Sequence, residues 1–300
     1  MCGIVGLHLK NPDLQPRLGE LMTLMLEAMT TRGPDSAGIA IYADSLEFPE
    51  PDLRYSLRAE ADVDWDVLGK TIAADTGSEV RVRRLAADSA VLESPAREAM
   101  FLAAVKRAGA DFTVAGWGRA MVLVKDVGAP ADICARYGIP SWGGYQGSGH
   151  TRMATESAVT TKHSHPFAPA ADLALVHNGS FSNYATVRGR LARAGIQFDT
   201  DNDSEVAARL IAARMAEGSG LDDALRTVLR EMDGFFTLLV TTRTQFAVVR
   251  DSFACKPAVI AETADYVAMA SEYQALARLP GVADAVVFEP MPEEIHLWTR

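Results

Sequence analysis

Cysteine is scarce in this chain of 300 residues: there are three, Cys2, Cys134 and Cys255, and no two form a Cys-x-x-Cys pair. An odd, widely spaced set supports neither a disulfide framework nor a zinc ribbon and fits a reducing cytoplasm. Long apolar runs are missing as well. No stretch of about 18 apolar residues occurs and the first residues lack a basic leader region, so the expectation is a cytoplasmic chain with no membrane partner. Basic residues are outnumbered, 29 against 39 acidic ones, and the net charge of −10 repels phosphate backbones, which argues against nucleic acid as a partner. There is no Walker loop, dinucleotide fingerprint or iron–sulfur cysteine cluster, so no cofactor is expected in this chain. Repeats and low-complexity tracts are absent. What is present is 48% hydrophobic content, enough at this length to bury roughly three quarters of the unfolded surface in one core.

Cys2 stands out. Removing the initiator methionine from Met1-Cys2-Gly3-Ile4-Val5-Gly6 would leave a thiol and a free α-amine on one residue. The amine titrates near ~8 and the thiol near ~8.5, so the residue carries its own base. Gly3 to Leu9 reads as a buried strand that would hold this nucleophile rigidly. The alternative is a small buried hydrophobe beside a start residue.

Three further segments follow in order: Thr31-Arg32-Gly33-Pro34-Asp35-Ser36-Ala37-Gly38, then His150-Thr151-Arg152-Met153-Ala154-Thr155, then Val176-His177-Asn178-Gly179 with Asp203-Ser204-Glu205 beyond. With the N-terminal Cys-Gly-Ile-Val-Gly, this series resembles the class II glutamine amidotransferases, the N-terminal-nucleophile type. The resemblance spans essentially the whole chain, with echoes at Arg250-Asp251, Lys256-Pro257 and Ser271-Glu272. Within the class it is most similar to the amidotransferase subunits of split glutamate synthases, nearest that of N-methylglutamate synthase. It implies an α+β fold, an αββα four-layer sandwich of antiparallel sheets, with residues 2–300 forming one amidotransferase domain.

Patterning agrees with strands and helices in blocks. Pro16 to Thr31 has helical apolar spacing, as do Asn183 to Ala194, Ser204 to Glu217 and Leu221 to Glu231. Strands are predicted at Ala37 to Tyr42, Ala171 to Val176, Phe235 to Thr241, Gln245 to Arg250, Ala258 to Ala261, Tyr266 to Ala270 and Ala285 to Phe288. Between Gly38 and His150 lie 111 residues, read as an ordered α+β insertion at about 43–148. It is expected to hold a helix at Pro95 to Ala108, strands around Phe112 to Ala115 and Met121 to Val124, and a short helix at Ala131 to Tyr137.

Amide hydrolysis passes through a tetrahedral oxyanion, and the resemblance places Asn178 and Gly179 in the hole that stabilises it. The alternative is an ordinary Asn-Gly turn. Arg152 is the natural clamp for a substrate carboxylate, since a guanidinium offers two parallel hydrogen bonds. The family pattern adds Thr155 beside it, gives Asp203 the substrate ammonium, and assigns Arg32 to the nucleophile's surroundings. Asp203 could equally be a helix N-cap, and the two jobs are compatible. His150, His163, His165 and His177 could suggest a metal, but they lack an accompanying ligand pattern and a self-activated thiol needs none. His165-Pro166 matches a pair that supports the pocket wall in relatives. Met153 and Glu156 depart from the tryptophan and histidine of aminosugar-synthesising relatives, so those enzymes' acceptor and closure do not transfer.

The expected activity is a glutaminase half-reaction by the Cys2 thiol, supplying ammonia to a glutamate-synthase-like complex whose acceptor site lies on a partner, a flavin-containing synthase subunit by resemblance. The rivals are a stand-alone N-terminal-nucleophile amidase of another amide and a non-catalytic assembly subunit.

Overall fold

The computed structural model describes residues 2–44, 52–109, 112–153 and 160–300. The chain begins with β1 (Gly3–Leu9), α1 (Leu18–Ala28) and β2 (Ser36–Tyr42). It continues through β3 (Leu53–Ala59), α2 (Trp65–Thr76), β4 (Arg81–Ala86), β5 (Ser89–Ser94), α3 (Glu98–Ala108) and β6 (Phe112–Gly118). Then come β7 (Met121–Val127), α4 (Pro130–Arg136), β8 (Gln146–Arg152), β9 (Phe167–Ala170) and β10 (Leu173–Phe181). Helices α5 (Tyr184–Arg193), α6 (Asp203–Ala216) and α7 (Leu221–Glu231) precede β11 (Gly234–Thr241), β12 (Gln245–Arg250), β13 (Val259–Glu262) and β14 (Tyr266–Ala270). The chain closes with α8 (Tyr273–Leu276), β15 (Val286–Phe288) and β16 (Ile295–Thr299).

These strands form a seven-stranded sheet in the order β15-β13-β14-β1-β8-β2-β7, a five-stranded sheet β16-β12-β11-β10-β9, and a four-stranded sheet β4-β5-β3-β6. The first two make the sandwich. Strand alternation explains how β1 is buried on both faces. Val5, Leu7 and Leu9 pack with Leu18, Met22, Met25 and Leu26 of α1, whereas Ile4 joins Val176, Leu239, Phe246 and Val248 between the sheets. A Cβ at Gly6, on the Ile4 face, would come within 2.4 Å of Leu239, so glycine lets the sheets close there. The second sheet repeats the logic: Leu173, Leu175, Leu238 and Val240 face α5, α6 and α7, while Leu239 faces inward. The result is the αββα four-layer sandwich, and each fully buried Leu, Ile or Val contributes about 2 kcal/mol of transfer free energy.

The expected helix from Pro16 starts only at Leu18, because Pro12–Arg17, with two prolines, forms 3-10 turns instead. The strand predicted to end at Val176 runs on to Phe181, since pairing with β11 continues through Asn178↔Thr237 and Gly179↔Phe236. Asn178-Gly179 is therefore within a strand and is not a turn. Of the stretch read as an insertion, β7 pairs with β2, and β8 lies between β1 and β2 in the seven-stranded sheet. Only residues 53–118 form a sheet of their own, with a separate core of Tyr55, Leu57, Trp65, Leu68, Ile72 and Phe101 under α2 and α3. No expectation covered β3, α2, β4 or β5. Among the described residues no helix is long and apolar enough to cross a membrane.

Candidate active site

Strand β1 delivers Cys2 to the edge of the inter-sheet core, where it is half-buried. Its carbonyl is gripped from two sides: Arg32 Nε donates to Cys2 O at 2.9 Å and Asn178 Nδ2 donates to the same oxygen at 3.0 Å. Asn178 Nδ2 also donates to Ser271 Oγ at 3.1 Å, and that hydroxyl accepts from Ile4 N at 2.9 Å. Arg32 Nη1 pairs with Glu272 at 2.6 Å. Two residues from β10 and β14's end and one from the turn after α1 thus fix the Cys2 backbone. Register does the rest: Gly3 lies opposite Thr151, so Arg152 falls across from Cys2, and the Cys2 Sγ lies 3.9 Å from Met153 O. Arg152 is buried. The turn holding Arg32 sits close because Gly33 has no side chain; a Cβ there would be 2.4 Å from the Thr151 carbonyl carbon.

On β10, His177 O lies 3.1 Å from His150 Nε2, and Phe181 N–H donates to Asp203 at 2.9 Å. Both groups point away from β11. Gly179 has the same parity, and its partner Phe236 turns its carbonyl outward to Asp251 N at 3.2 Å. Alternation therefore aims the Gly179 N–H off the free edge of β10, between those two contacts. Gly179 holds φ +142°, and a Cβ would meet Phe235 O at 2.0 Å, so only glycine fits.

Asp203 is the first residue of α6, and the cap is Asn202, whose side chain accepts from Ser204 N at 2.8 Å. The expected capping role of Asp203 is thus taken by its neighbour. Asp203 instead reaches β10 and lies 4.0 Å from His177 Nδ1, leaving its carboxylate partly exposed. Ser204, buried behind it, has its Oγ 2.7 Å from His177 Nδ1 and 3.0 Å from His165 Nε2. His150 and His165 rings lie 4.1 Å apart. Burial pushes His150 down to about 3 and lowers His165 and His177 as well, so the trio is neutral at pH 7. His150 Nε2 faces a carbonyl that only accepts, which fixes that nitrogen as the protonated one. Among the described residues no group of three or more His, Cys, Asp or Glu side chains is arranged to hold a metal. His163 stands apart, 3.0 Å from Asp201. Thr155, Glu156 and Met1 lie outside the described residues.

Sequence reading did not single out Ser271, Ser204 or Glu272 for roles here. Their only signals were Ser-Glu pairs near recognised motifs, and their contacts are set by the tertiary fold, spanning 27 positions between His177 and Ser204 and 240 between Arg32 and Glu272.

A thiol at the head of a doubly buried strand, with an αββα sandwich around it, defines the N-terminal-nucleophile class. A model of a glutamine amidotransferase domain matches residues 150–278. The chain is 46% identical over 298 residues to the glutamine amidotransferase-like protein GlxB of Rhizobium meliloti (strain 1021), covering 99% of this chain and 98% of that one. It shares 43% identity over 100 residues with the glutamine–fructose-6-phosphate aminotransferase of Mycobacterium tuberculosis (strain ATCC 25618 / H37Rv), which is 32% of this chain and 16% of the other. Among solved structures it superposes on glutamine phosphoribosylpyrophosphate amidotransferase from B. subtilis with a TM-score of 0.63 at 18% identity, over 100% of this chain and 49% of that chain. The chain spans about half the length of that enzyme, and the likeness at this identity is one of fold. The chain belongs to the class II glutamine amidotransferase family.

Proposed function

We propose that Cys2, exposed as the N-terminal residue after loss of Met1, hydrolyses glutamine and that the chain serves as the ammonia-producing subunit of a glutamate-synthase-like complex, of the N-methylglutamate synthase kind. The α-amine takes the thiol proton, Sγ bonds to the amide carbon, and the oxygen becomes an oxyanion. Gly179 N–H is one donor to that oxygen, and Asn178 exchanges its bond to Ser271 to become the second. The C–N bond breaks as ammonia takes up the proton, leaving a thioester; water then adds and releases glutamate. Arg152 clamps the substrate carboxylate, with Thr155 near it, and Asp203 receives the ammonium. Arg32 acts through the nucleophile's carbonyl and is a positioning residue.

The observation that carries this reading is the double grip on Cys2 O by Arg32 and Asn178. A merely structural cysteine at a chain end needs no such anchor, since termini ordinarily fray. The partner, a flavin-containing synthase subunit, is what the resemblance to split glutamate synthases implies for a chain that releases ammonia.

Mass spectrometry of the mature N-terminus, with a glutaminase assay, tests the first half. Cys2→Ala should lower turnover by about 10³-fold or more while leaving the fold intact, and a glutamine-like electrophile should label Cys2. Full activity with Met1 retained would overturn it. Arg152→Lys should raise the KM for glutamine, because an ammonium cannot reproduce the bidentate pairing. Co-purification with a flavoprotein and faster turnover in its presence test the second half; full acceptor-independent activity in a lone chain would favour the plain amidase.

A further inference from the structure

Away from Cys2, the four-stranded sheet and the sandwich flank an open cavity of about 380 Å³. Its lining is mixed: an apolar side of Leu102 and Val105 of α3, Phe112 and Trp117 of β6, and Phe167 of β9 faces a polar side that includes Lys106, Lys162, Glu205 and Arg209. Lys125 of β7 forms part of the lining yet is only 7% exposed. Its Nζ donates to Ser164 O at 2.9 Å and Pro166 O at 3.3 Å and lies 5.1 Å from the Phe167 ring centre. Among the described residues no carboxylate forms an ion pair with it. The acidic lining groups, Asp199 and Glu205, are engaged by Arg209 at 2.5 and 2.7 Å. Burial brings Lys125 down to about 8, which leaves most of it charged at pH 7.

Glu205 and Asp199 lie near enough to favour the charged form, but burial outweighs them, so an ammonium bonded directly only to carbonyls is incompletely compensated. Lys162 at the exposed margin has no ion pair among the described residues. A buried cation with no carboxylate partner among the described residues, beside an apolar side in one cavity of ligand size, calls for an anion with an apolar body. Glu205 in the wall and Asp199 at the rim, both near enough to Lys125 to act on it, would repel a second negative charge there, which favours a monoanion.

We propose that this cavity binds a small monocarboxylate with an aromatic or branched apolar body, its carboxylate on Lys125 and Lys162 and its body against Trp117 and Phe167, and that occupancy tunes glutamine binding. The second half rests on the amidotransferase reading of the Cys2 site. The path is short. The carbonyls that Lys125 holds belong to the residues on either side of His165, and His165 Nε2 lies 3.0 Å from the Oγ of Ser204, next to Asp203. Glu205 of the cavity wall follows in the same first turn of α6.

Phenylacetate is the probe, titrated calorimetrically into the full chain against its uncharged isostere phenylacetamide and against phenyl phosphate. Phenylacetate should bind saturably and about tenfold or more tighter than the amide, a difference of about 1.4 kcal/mol, and tighter than the phosphate. Lys125→Met should erase that preference. Lys162→Ala, at an exposed position that carries no folding risk, should weaken phenylacetate about threefold or more. Absence of saturable binding, equal affinity for acid and amide, or a preference that survives both variants overturns the site. In the glutaminase assay, saturating phenylacetate should change the KM for glutamine by about twofold or more. Binding without that change overturns the regulatory half, whereas binding by a chain that hydrolyses no glutamine counts against the amidotransferase reading of Cys2 and leaves the cavity's ligand in place.

Discussion

The sandwich and the smaller sheet of residues 53–118 are built on similar cores but are held in place by different forces. Between the two large sheets the contact is dry: Ile4, Val176, Leu239, Phe246 and Val248 are all 0% exposed. Where the smaller unit meets the sandwich, ion pairs join the apolar packing of Met121 and Leu123 with Ala115 and Ala168. Asp126 of β7 takes Arg58 of β3 at 2.9 Å and Arg136 of α4 at 2.6 Å, with the Tyr137 hydroxyl at 3.0 Å. Arg136 returns across the junction to Asp88 at 2.7 Å. Asp172 accepts the N–H groups of Arg119, Ala120 and Met121 at 2.9, 2.9 and 3.0 Å. Dense apolar packing sets the distance between layers and resists change, while ion pairs set orientation and respond to salt and to loss of one partner. Asn178 and Arg152 stand on strands of the sandwich and Cys2 immediately precedes one, so all three are held by that rigid part.

The comparison breaks hardest at Leu239. Leu239→Ala should cost about 3–4 kcal/mol in denaturant unfolding, because Phe246 and Gly6 pack tightly around it and cannot collapse into the space. A loss below about 1 kcal/mol would mean that the interface between the sheets is loose.

Next comes acid. His150 has a folded pKa of about 3, below its ordinary 6.5, so the unfolded chain binds the extra proton and stability falls as pH drops from 6.5 towards 3. Over the two units below 6.5 this residue alone should remove about 3 kcal/mol. His150→Gln keeps a donor for His177 O but does not titrate, so it should flatten that part of the stability profile. An unchanged slope would contradict the buried, neutral assignment.

At the junction, Asp126→Ala should cost about 2 kcal/mol, since two guanidiniums and a phenol lose a shared acceptor. Glutaminase turnover should change little, as measured beside the melting midpoint. A fall in turnover comparable to that of a site variant would show that the smaller unit is part of the catalytic frame. The smallest effect is expected at the exposed pair Arg84 with Asp66 on the outer face of that unit. Asp66→Asn should shift stability by less than about 0.5 kcal/mol, and a larger shift would show that surface charge shapes this unit as well.

Much of the sandwich was legible. Strand β12 and helix α7 run as the periodicity places them, over Gln245–Arg250 and Leu221–Glu231, because local pattern and burial agree there. The smaller unit was half missed. In β4, Arg81–Ala86, charged residues interrupt the alternation, and only pairing with β5 makes it a strand.

By itself the sequence determined the order of the motifs and the burial of β1, since both are displayed along the chain, the second as a mainly apolar run of strand length. Only the tertiary structure decided what each polar group does. Asn178 holds the Cys2 carbonyl, Asn202 caps α6 so that Asp203 is left to β10, and three histidines share a buried cluster around Ser204. Apolar periodicity is a local property that a chain displays along its length. A hydrogen bond between residues 176 positions apart, as from Asn178 to Cys2, exists only once the sheets have brought them together.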